Sequence, residues 1–151
     1  EHRDLHSFPT RRSSDLTICG KPPVAGHGAI EPAARAKAWA RYAAAGRKFD
    51  DWKSDPFLAL NMYAQLREAF GWEAFKKVFA EYRDLAKESR PRTDDARRDQ
   101  WMVRFSRTVN RNLGPFFEAW AVPTSQAARD SIAQLPAWMP AGWPPAPAGA
   151  E

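Results

Sequence analysis

Apolar residues recur with the period of an α-helix through most of the chain after residue 30. This pattern predicts long helices over residues 31–46, 55–70, 72–88 and 93–111, and three of them begin at a Pro or a side chain able to cap a helix. Two shorter helices are predicted after Gly114 and after Pro123. Because no segment alternates β-branched and polar residues over a strand length, we predict an all-α fold, an irregular bundle of about five to six helices.

The two ends of the chain lack this period. Residues 1–30 mix Pro and Gly with Ser, Thr and Arg, and we expect them to be unstructured. Residues 6–16 resemble the peptide produced when sequencing-adapter DNA is translated, so part of this segment is expected to be an artefact. Residues 139–151 form a Pro-rich tail. The predicted organisation is therefore an unstructured start, a helical body over 31–138 and this tail.

Aromatic residues are expected to dominate the core. The chain has nine Phe, seven Trp and three Tyr, and each such side chain buries about 150–250 Å². Two glycines are predicted to break the helices around them, and the aromatic side chains are predicted to pack. These structural residues are Gly71, Trp72, Phe75, Phe79, Tyr82, Trp101, Phe105, Gly114, Pro115, Phe116, Phe117 and Trp120. Replacing Trp72 or Phe79 with Ala is expected to cost about 3–5 kcal/mol.

The net charge of +5 is concentrated in one segment, because seven Arg against three Asp fall between residues 90 and 111. A solvated helix face is the favoured interpretation, with contact to an anionic glycan or glycoprotein second and nucleic acid third. Binding of nucleic acid would require exposed aromatic rings among the Arg, whereas Trp101 and Phe105 are predicted on the opposite face. We therefore expect no nucleic-acid partner. No apolar run approaches the roughly 20 residues of a membrane-spanning helix, so no transmembrane segment is predicted.

Candidate catalytic residues are few. The single Cys19 excludes an internal disulfide framework and has no His on a predicted helix to activate it. The acidic pairs at 50–51 and 94–95 are expected to stabilise helix starts rather than to perform catalysis. The three His fall in the irregular first segment: His2, His6 and His27. We therefore predict no catalytic, cofactor-binding or metal-ligating residue in the chain.

Three polar residues near the Gly114 break admit two interpretations. Ser106, Asn110 and Asn112 either line a substrate cleft or hydrogen-bond the backbone of the turn. Local hydrogen bonding is favoured, because short polar side chains commonly satisfy turn backbone.

Several separated blocks carry a family resemblance. They are FGWEAFKKVFAEY over 70–82, DQWMVRFS over 99–106, NLGPFFEAW over 112–120, and the Val122-Pro123 pair. In this order and near these spacings, the blocks resemble the C-terminal helical part of the enhancin-like peptidases, family M-60 of the metallopeptidases. The similarity extends over roughly residues 49–138.

The resemblance implies a zinc-dependent endopeptidase that acts on glycoproteins such as mucins, in an extracellular, cell-surface or periplasmic setting. Family chemistry uses a His-Glu-x-x-His motif, in which two His hold Zn²⁺, and this sequence lacks that motif. The chain is thus expected to be a truncated gene product that is inactive alone. Zinc, the N-terminal catalytic subdomain and the glycoprotein substrate are expected only with the full-length parent. The alternative is a non-enzymatic helical protein-interaction module.

Overall fold

Six α-helices and two short 3₁₀ helices make up residues 28–144, the part of the chain that the computed structural model describes. The 3₁₀ helices are Gly28–Ile30 and Lys87–Ser89. The α-helices are α1 (Pro32–Ala44), α2 (Phe49–Ser54), α3 (Pro56–Asp84), α4 (Asp94–Val109), α5 (Gly114–Ala119) and α6 (Gln126–Asp130). The predicted all-α fold is confirmed.

The starts of α3 and α4 form around the capping side chains that the sequence predicts. The Asp55 carboxylate accepts hydrogen bonds from the backbone N–H groups of Phe57 at 2.9 Å and Leu58 at 3.3 Å. At α4, the Thr93 hydroxyl accepts from the Ala96 N–H at 3.1 Å. Each cap satisfies N–H groups that have no carbonyl partner within the helix.

Some element boundaries differ from the predictions. The short helix α2 is not among the predicted helices, because Lys48 provides no side-chain cap. Asp50 and Asp51 do lie in its first turn, as expected for an acidic pair that stabilises a helix start. The helix predicted over 72–88 ends at Asp84. Residues 28–30 form a 3₁₀ turn, so the prediction of an unstructured start is wrong for those three residues. The predictions for residues 1–27, including the adapter-like stretch 6–16, and for 145–151 lie outside the described residues.

Gly71 divides α3 into two arms, residues 56–70 and 72–84. Its backbone has φ 72° and ψ 174°, a conformation that is nearly exclusive to Gly because a Cβ atom would collide with the chain's own backbone. The break therefore falls where the sequence predicts the end of one helix and the start of another. A side chain at this position would strain the connection between the two arms.

Gly71→Ala is expected to destabilise the 151-residue chain by about 1–3 kcal/mol. Beyond the adjoining backbone, a Cβ added at Gly71 meets no atom within 4 Å, so the loss comes from the backbone conformation and not from a clash with another part of the fold. Urea unfolding of the variant measures it. Gly28→Ala is the matched control, because a Cβ there also meets nothing within 4 Å and its φ is not positive. If both variants lose the same free energy of unfolding, the claim that a side chain at Gly71 strains the backbone is contradicted.

The core lies where α4 packs against both the arms of α3 and the residues that follow α4. Helix α6 in turn packs against α4. The large side chains that are fully buried are Met62, Leu66, Val78, Met102, Phe105, Leu113, Phe116, Phe117, Trp120, Val122 and Ile132. Six of these eleven residues follow residue 110, so the short, irregular C-terminal part contributes as much to the core as the long helices do.

Two residues predicted in the core lie on the surface instead. Trp72 is 54% exposed and Phe79 is 58% exposed, so their predicted burial is wrong. A loss of about 3–5 kcal/mol applies to buried aromatic side chains, so a smaller loss is expected when these two are replaced. The physical reason is that the aromatic contacts which the second arm of α3 makes with other described helices are to Trp101 and Phe105 of α4. Helix α4 covers Phe75 and Val78, and the remaining part of the apolar face stays open to solvent. We call the Trp72 and Phe79 pair the aromatic ridge.

Candidate functional site

Trp101 is the centre of an aromatic cluster between α3 and α4. Its ring centroid lies within about 6.5 Å of the rings of five residues, which are Phe79 at 5.5 Å, Phe105 at 5.5 Å, Tyr63 at 6.0 Å, Phe75 at 6.0 Å and Tyr82 at 6.4 Å. These separations are typical of favourable edge-to-face and offset aromatic contacts. Trp101 thus joins both arms of α3 to α4.

A cleft of about 290 Å³ opens beside this cluster, and we call it the aromatic cleft. Its volume lies near the lower end of the usual range for ligand clefts, about 300–1,000 Å³. The lining residues are Trp52, Met62, Tyr63, Tyr82, Pro91, Arg97, Arg98, Trp101, Phe117 and Val122. Met62, Phe117 and Val122 are buried and form its floor, whereas Arg97 is exposed and marks its mouth.

The interior of the aromatic cleft is poorly solvated. Burial raises the pKa of the Tyr63 phenol, and Tyr82 adds to this effect. Burial also raises the pKa of Tyr82, so both phenols stay neutral and keep their hydrogen at physiological pH. The indole Nε1 atoms of Trp52 and Trp101 are buried without a hydrogen-bond partner among the described residues. A buried donor without a partner costs about 1–3 kcal/mol.

Arg98 closes one side of the cleft through several contacts. Its guanidinium lies 4.7 Å from the centroid of the Phe49 ring, and its Nε atom donates to the Pro123 carbonyl at 3.1 Å. It also forms an ion pair with Asp95. These contacts hold Arg98 in place, while the one ion pair of Arg97 within residues 28–144 is the exposed pair with Asp94 at 2.7 Å.

An ion pair between Arg35 and Glu68 joins α1 to the first arm of α3. Arg35 donates to both carboxylate oxygens of Glu68, at 2.8 and 2.7 Å, and to the Ile30 carbonyl at 2.9 Å. The hydrogen bond from Arg35 is the main cause that lowers the pKa of Glu68. This bidentate pair fixes the position of α1 on α3.

Glu68→Gln is expected to lower the free energy of unfolding at neutral pH, and to lower it less at acidic pH. The folded-state pKa of Glu68 is lowered from 4.5, so the ion pair stabilises the fold above about pH 4.5 and loses its effect as the pH falls through the lowered pKa. The loss at pH 7 should be under about 1 kcal/mol, because solvent screens a half-exposed pair. Urea unfolding at pH 7 and pH 3 measures it. If the free energies of unfolding of wild type and variant differ as much at pH 3 as at pH 7, this role of the ion pair is contradicted.

The polar residues around the Gly114 break bond to the turn itself. The Ser106 hydroxyl is buried and accepts from the Leu113 N–H at 3.2 Å. The Asn112 side-chain oxygen accepts from the Gly114 N–H at 2.8 Å, and Asn110 ends α4 in a left-handed conformation with φ 53°. Ser106 and Asn112 thus form the local hydrogen bonds that were favoured over a substrate cleft, while Asn110 contributes through its backbone conformation.

The remaining predicted structural residues differ in how deeply they are buried. Tyr82 and Trp101 are half-buried, and Pro115 is exposed. The others lie inside the fold: Phe75, Phe105, Gly114, Phe116, Phe117 and Trp120.

A group around Trp120 escaped the sequence analysis. The Trp120 indole N–H donates to the Gln65 side-chain oxygen at 3.1 Å, and the Trp120 ring lies 5.1 Å from Trp39 and 5.3 Å from Trp143. No pattern in the sequence predicts that Gln65 is buried, and Trp143 falls in the predicted Pro-rich tail. The one available signal was the absence of charge on Gln65, which allows burial once its amide has a partner.

The described residues do not fit the zinc ion that the family resemblance implies. They include no His and no Cys, and their acidic side chains do not gather into a group able to hold a metal. None of the helices within residues 28–144 is long and apolar enough to span a membrane.

Comparison with known sequences decides the family. The profile described as "Peptidase M60, enhancin and enhancin-like" matches residues 12–121. The chain belongs to this enhancin-like peptidase family. The predicted family resemblance is therefore confirmed, while the assignment to its C-terminal part and the adapter-like origin of residues 6–16 stay predictions.

Relatives of this enhancin-like chain include much longer animal proteins. TRPM8 channel-associated factor 2 of Homo sapiens is 39% identical over 123 residues, which are 82% of this chain and 13% of the relative. TRPM8 channel-associated factor 3 of Mus musculus is 36% identical over the same shares of both sequences. The TRPM8 channel-associated factor homolog of Danio rerio is 38% identical over 74% of this chain and 12% of the relative. The chain thus spans about an eighth of their length. No solved structure matches it.

Proposed function

We propose that this chain forms the helical part of a zinc metalloendopeptidase that cleaves glycoproteins such as mucins, and that the zinc ligands lie elsewhere in a longer protein. The family match over residues 12–121 carries this proposal. Residues 28–144 offer no His or Cys for zinc, so their part is to provide structure and contact surface. The setting is extracellular, at a cell surface or in a periplasm.

The aromatic ridge supports a docking role within such a peptidase. Trp72 and Phe79 lie seven residues apart on one side of α3, and more than half of each side chain is exposed. Large exposed aromatic side chains on one face are typical of contact surfaces. In this proposal the ridge packs against the catalytic subdomain. Trp101 supports it from below, since its ring lies 5.5 Å from Phe79.

The coding frame upstream of Thr17 tests the peptidase proposal at the level of the gene. The proposal predicts a continuous frame that encodes His-Glu-x-x-His followed by a downstream Glu, because this motif supplies the zinc ligands and the group that activates water. An intact upstream frame without the motif would contradict it.

A non-enzymatic interaction module is the second candidate. The observation that favours it is the relatives' own description as channel-associated factors, at 36–39% identity over most of this chain. In that case the helical fold is kept as a binding surface and no zinc motif is needed. The same upstream frame separates the two candidates, since only the peptidase requires the motif.

A further inference from the structure

A second cleft, of about 440 Å³, lies between α1, the first arm of α3 and the segment that follows α6. We call it the polar cleft, because three polar side chains, those of Arg35, Gln65 and Glu68, line it together with two indole rings, those of Trp138 and Trp143. Its volume falls within the usual range for ligand clefts, about 300–1,000 Å³.

The side-chain amide of Gln65 has an unused hydrogen-bond donor in this cleft. Gln65 is only 6% exposed, and its Oε1 atom accepts from the Trp120 indole N–H at 3.1 Å. Because an indole nitrogen can only donate, this bond fixes which end of the amide carries the oxygen. The Nε2 atom at the other end stays accessible and donates to no residue within 28–144. A ligand in the cleft can therefore receive hydrogen bonds from an amide that the core holds in place.

Glu68 follows Gln65 by three residues on α3, so both side chains lie on one face of that helix. Each Glu68 carboxylate oxygen accepts one hydrogen bond from Arg35, at 2.8 and 2.7 Å, and can accept another. Glu68 is partly exposed, so these remaining lone pairs are available to a ligand. Arg35 and Glu68 are the charged residues that line the cleft among those described, and they balance each other.

Trp138 and Trp143 give the polar cleft an apolar side. Both are partly buried, and other rings support them. The ring centroid of Trp138 lies 4.8 Å from that of Phe70, and the centroid of Trp143 lies 4.3 Å from that of Trp39. The face of an indole ring is electron-rich and packs well against C–H groups. The cleft thus suits an uncharged ligand that has both hydrogen-bonding groups and an apolar face.

We propose that the polar cleft binds an uncharged sugar residue. Hydroxyl groups of the sugar accept from Gln65 Nε2 and donate to Glu68, while C–H groups of the sugar ring pack against the indole rings. A hydroxyl group both donates and accepts, so neighbouring hydroxyls on one ring can serve both side chains. The inference does not depend on the proposed peptidase function, because binding at this site requires neither zinc nor cleavage.

The same arrangement disfavours two other classes of ligand. The N–H and C=O groups of a trans peptide unit point in opposite directions, so one peptide unit cannot accept from Gln65 and donate to Glu68 on the same helix face. The phosphate of a nucleotide needs a free cation, whereas the Arg35 guanidinium in this cleft is already paired with Glu68.

Nuclear magnetic resonance titration of the 151-residue chain tests the inference. The probes are the methyl glycosides of glucose, galactose, mannose and N-acetylglucosamine. At least one should bind saturably with a Kd of about 1 mM, as expected for a ligand with so few atoms, and should shift the side-chain amide signals of Gln65. The indole signals of Trp138 and Trp143 should shift with them, whereas those of Trp52 and Trp101, which line the aromatic cleft, should not.

Variants of the chain locate the sugar. Ala69 is exposed and lines the polar cleft, so Ala69→Phe should fill the cleft and abolish binding. Ala43→Phe, the same change at an exposed residue of α1 outside the cleft, should change the Kd less than twofold. Glu68→Gln should raise the Kd about tenfold, because hydrogen bonds to a charged acceptor are stronger than those to an amide. Circular dichroism verifies that each variant is folded.

Three results would each overturn the inference. The first is the absence of a saturable shift of the Gln65 amide with any of the four glycosides up to about 50 mM. The second is an equal effect of Ala69→Phe and Ala43→Phe on binding. The third is tighter binding of guanosine or of a blocked dipeptide than of every glycoside at the same Gln65 signals.

Discussion

Trp120→Ala is expected to destabilise the chain by about 3–5 kcal/mol, the usual cost of removing a buried large aromatic side chain. Trp120 is almost fully buried and connects elements far apart in sequence. Its carbonyl accepts from the Tyr42 hydroxyl at 2.9 Å, and its indole N–H donates to Gln65 at 3.1 Å. Removal of the ring creates a cavity, and it also leaves the buried Gln65 oxygen without its donor.

Urea unfolding followed by circular dichroism measures this loss, and Trp72→Ala is the matched control. The same ring is removed from an exposed position, so the control should lose under about 1 kcal/mol. The loss of stability in Trp120→Phe should be intermediate between those of the two Ala variants, because Phe keeps an aromatic ring but not the hydrogen bond to Gln65. If Trp120→Ala and Trp72→Ala lose equal stability, the described core is incorrect.

Phe105→Ala should have an effect of similar size, about 3–5 kcal/mol. Phe105 is fully buried at the centre of α4, and its ring lies 4.9 Å from Phe75 and 5.5 Å from Trp101. Its loss opens a cavity between α4 and both arms of α3, where rigid helices cannot close the gap.

Phe79→Ala provides the control for Phe105→Ala. Phe79 is on the aromatic ridge and mostly exposed, so its truncation should cost under about 1 kcal/mol in this chain. Thermal unfolding of both variants under one set of conditions compares them directly. A loss at Phe79 as large as that at Phe105 would mean that the ridge is buried against other parts of the chain.

Features governed by neighbouring residues could be predicted from the sequence. Asp55 and Thr93 cap their helices through backbone groups two or three residues away, and Gly71 interrupts α3 through its own φ and ψ angles. Such features depend on local chemistry, which composition and spacing describe directly.

Features governed by distant contacts could not be predicted in this way. Trp72 and Phe79 share an apolar helix face with Phe75, and only the number of neighbouring helices decides how much of that face is covered. The ring centroids of Trp143 and Trp39 lie 4.3 Å apart, although more than a hundred residues separate them in the sequence. Asn112 likewise pairs with the backbone on both sides of Ala137, in a segment without any period.

The aromatic cleft belongs to the second group for the same reason. The residues that line it come from α2, α3, α4, α5 and the segments around Pro91 and Val122, and no single sequence block contains more than a few of these residues. The sequence did single out the segment that supplies two of its lining residues, since Arg97 and Arg98 belong to the Arg-rich segment 90–111. The favoured interpretation of that segment as a solvated face did not include the apolar pocket beside it.

Hydrolysis of a mucin-type glycoprotein by the longer protein that contains these residues tests the proposed peptidase function most directly. The account predicts cleavage with zinc present, loss of cleavage after chelation, and recovery when zinc is returned. A folded, zinc-supplemented protein that leaves the glycoprotein uncleaved, or cleavage that persists after chelation, would contradict the account.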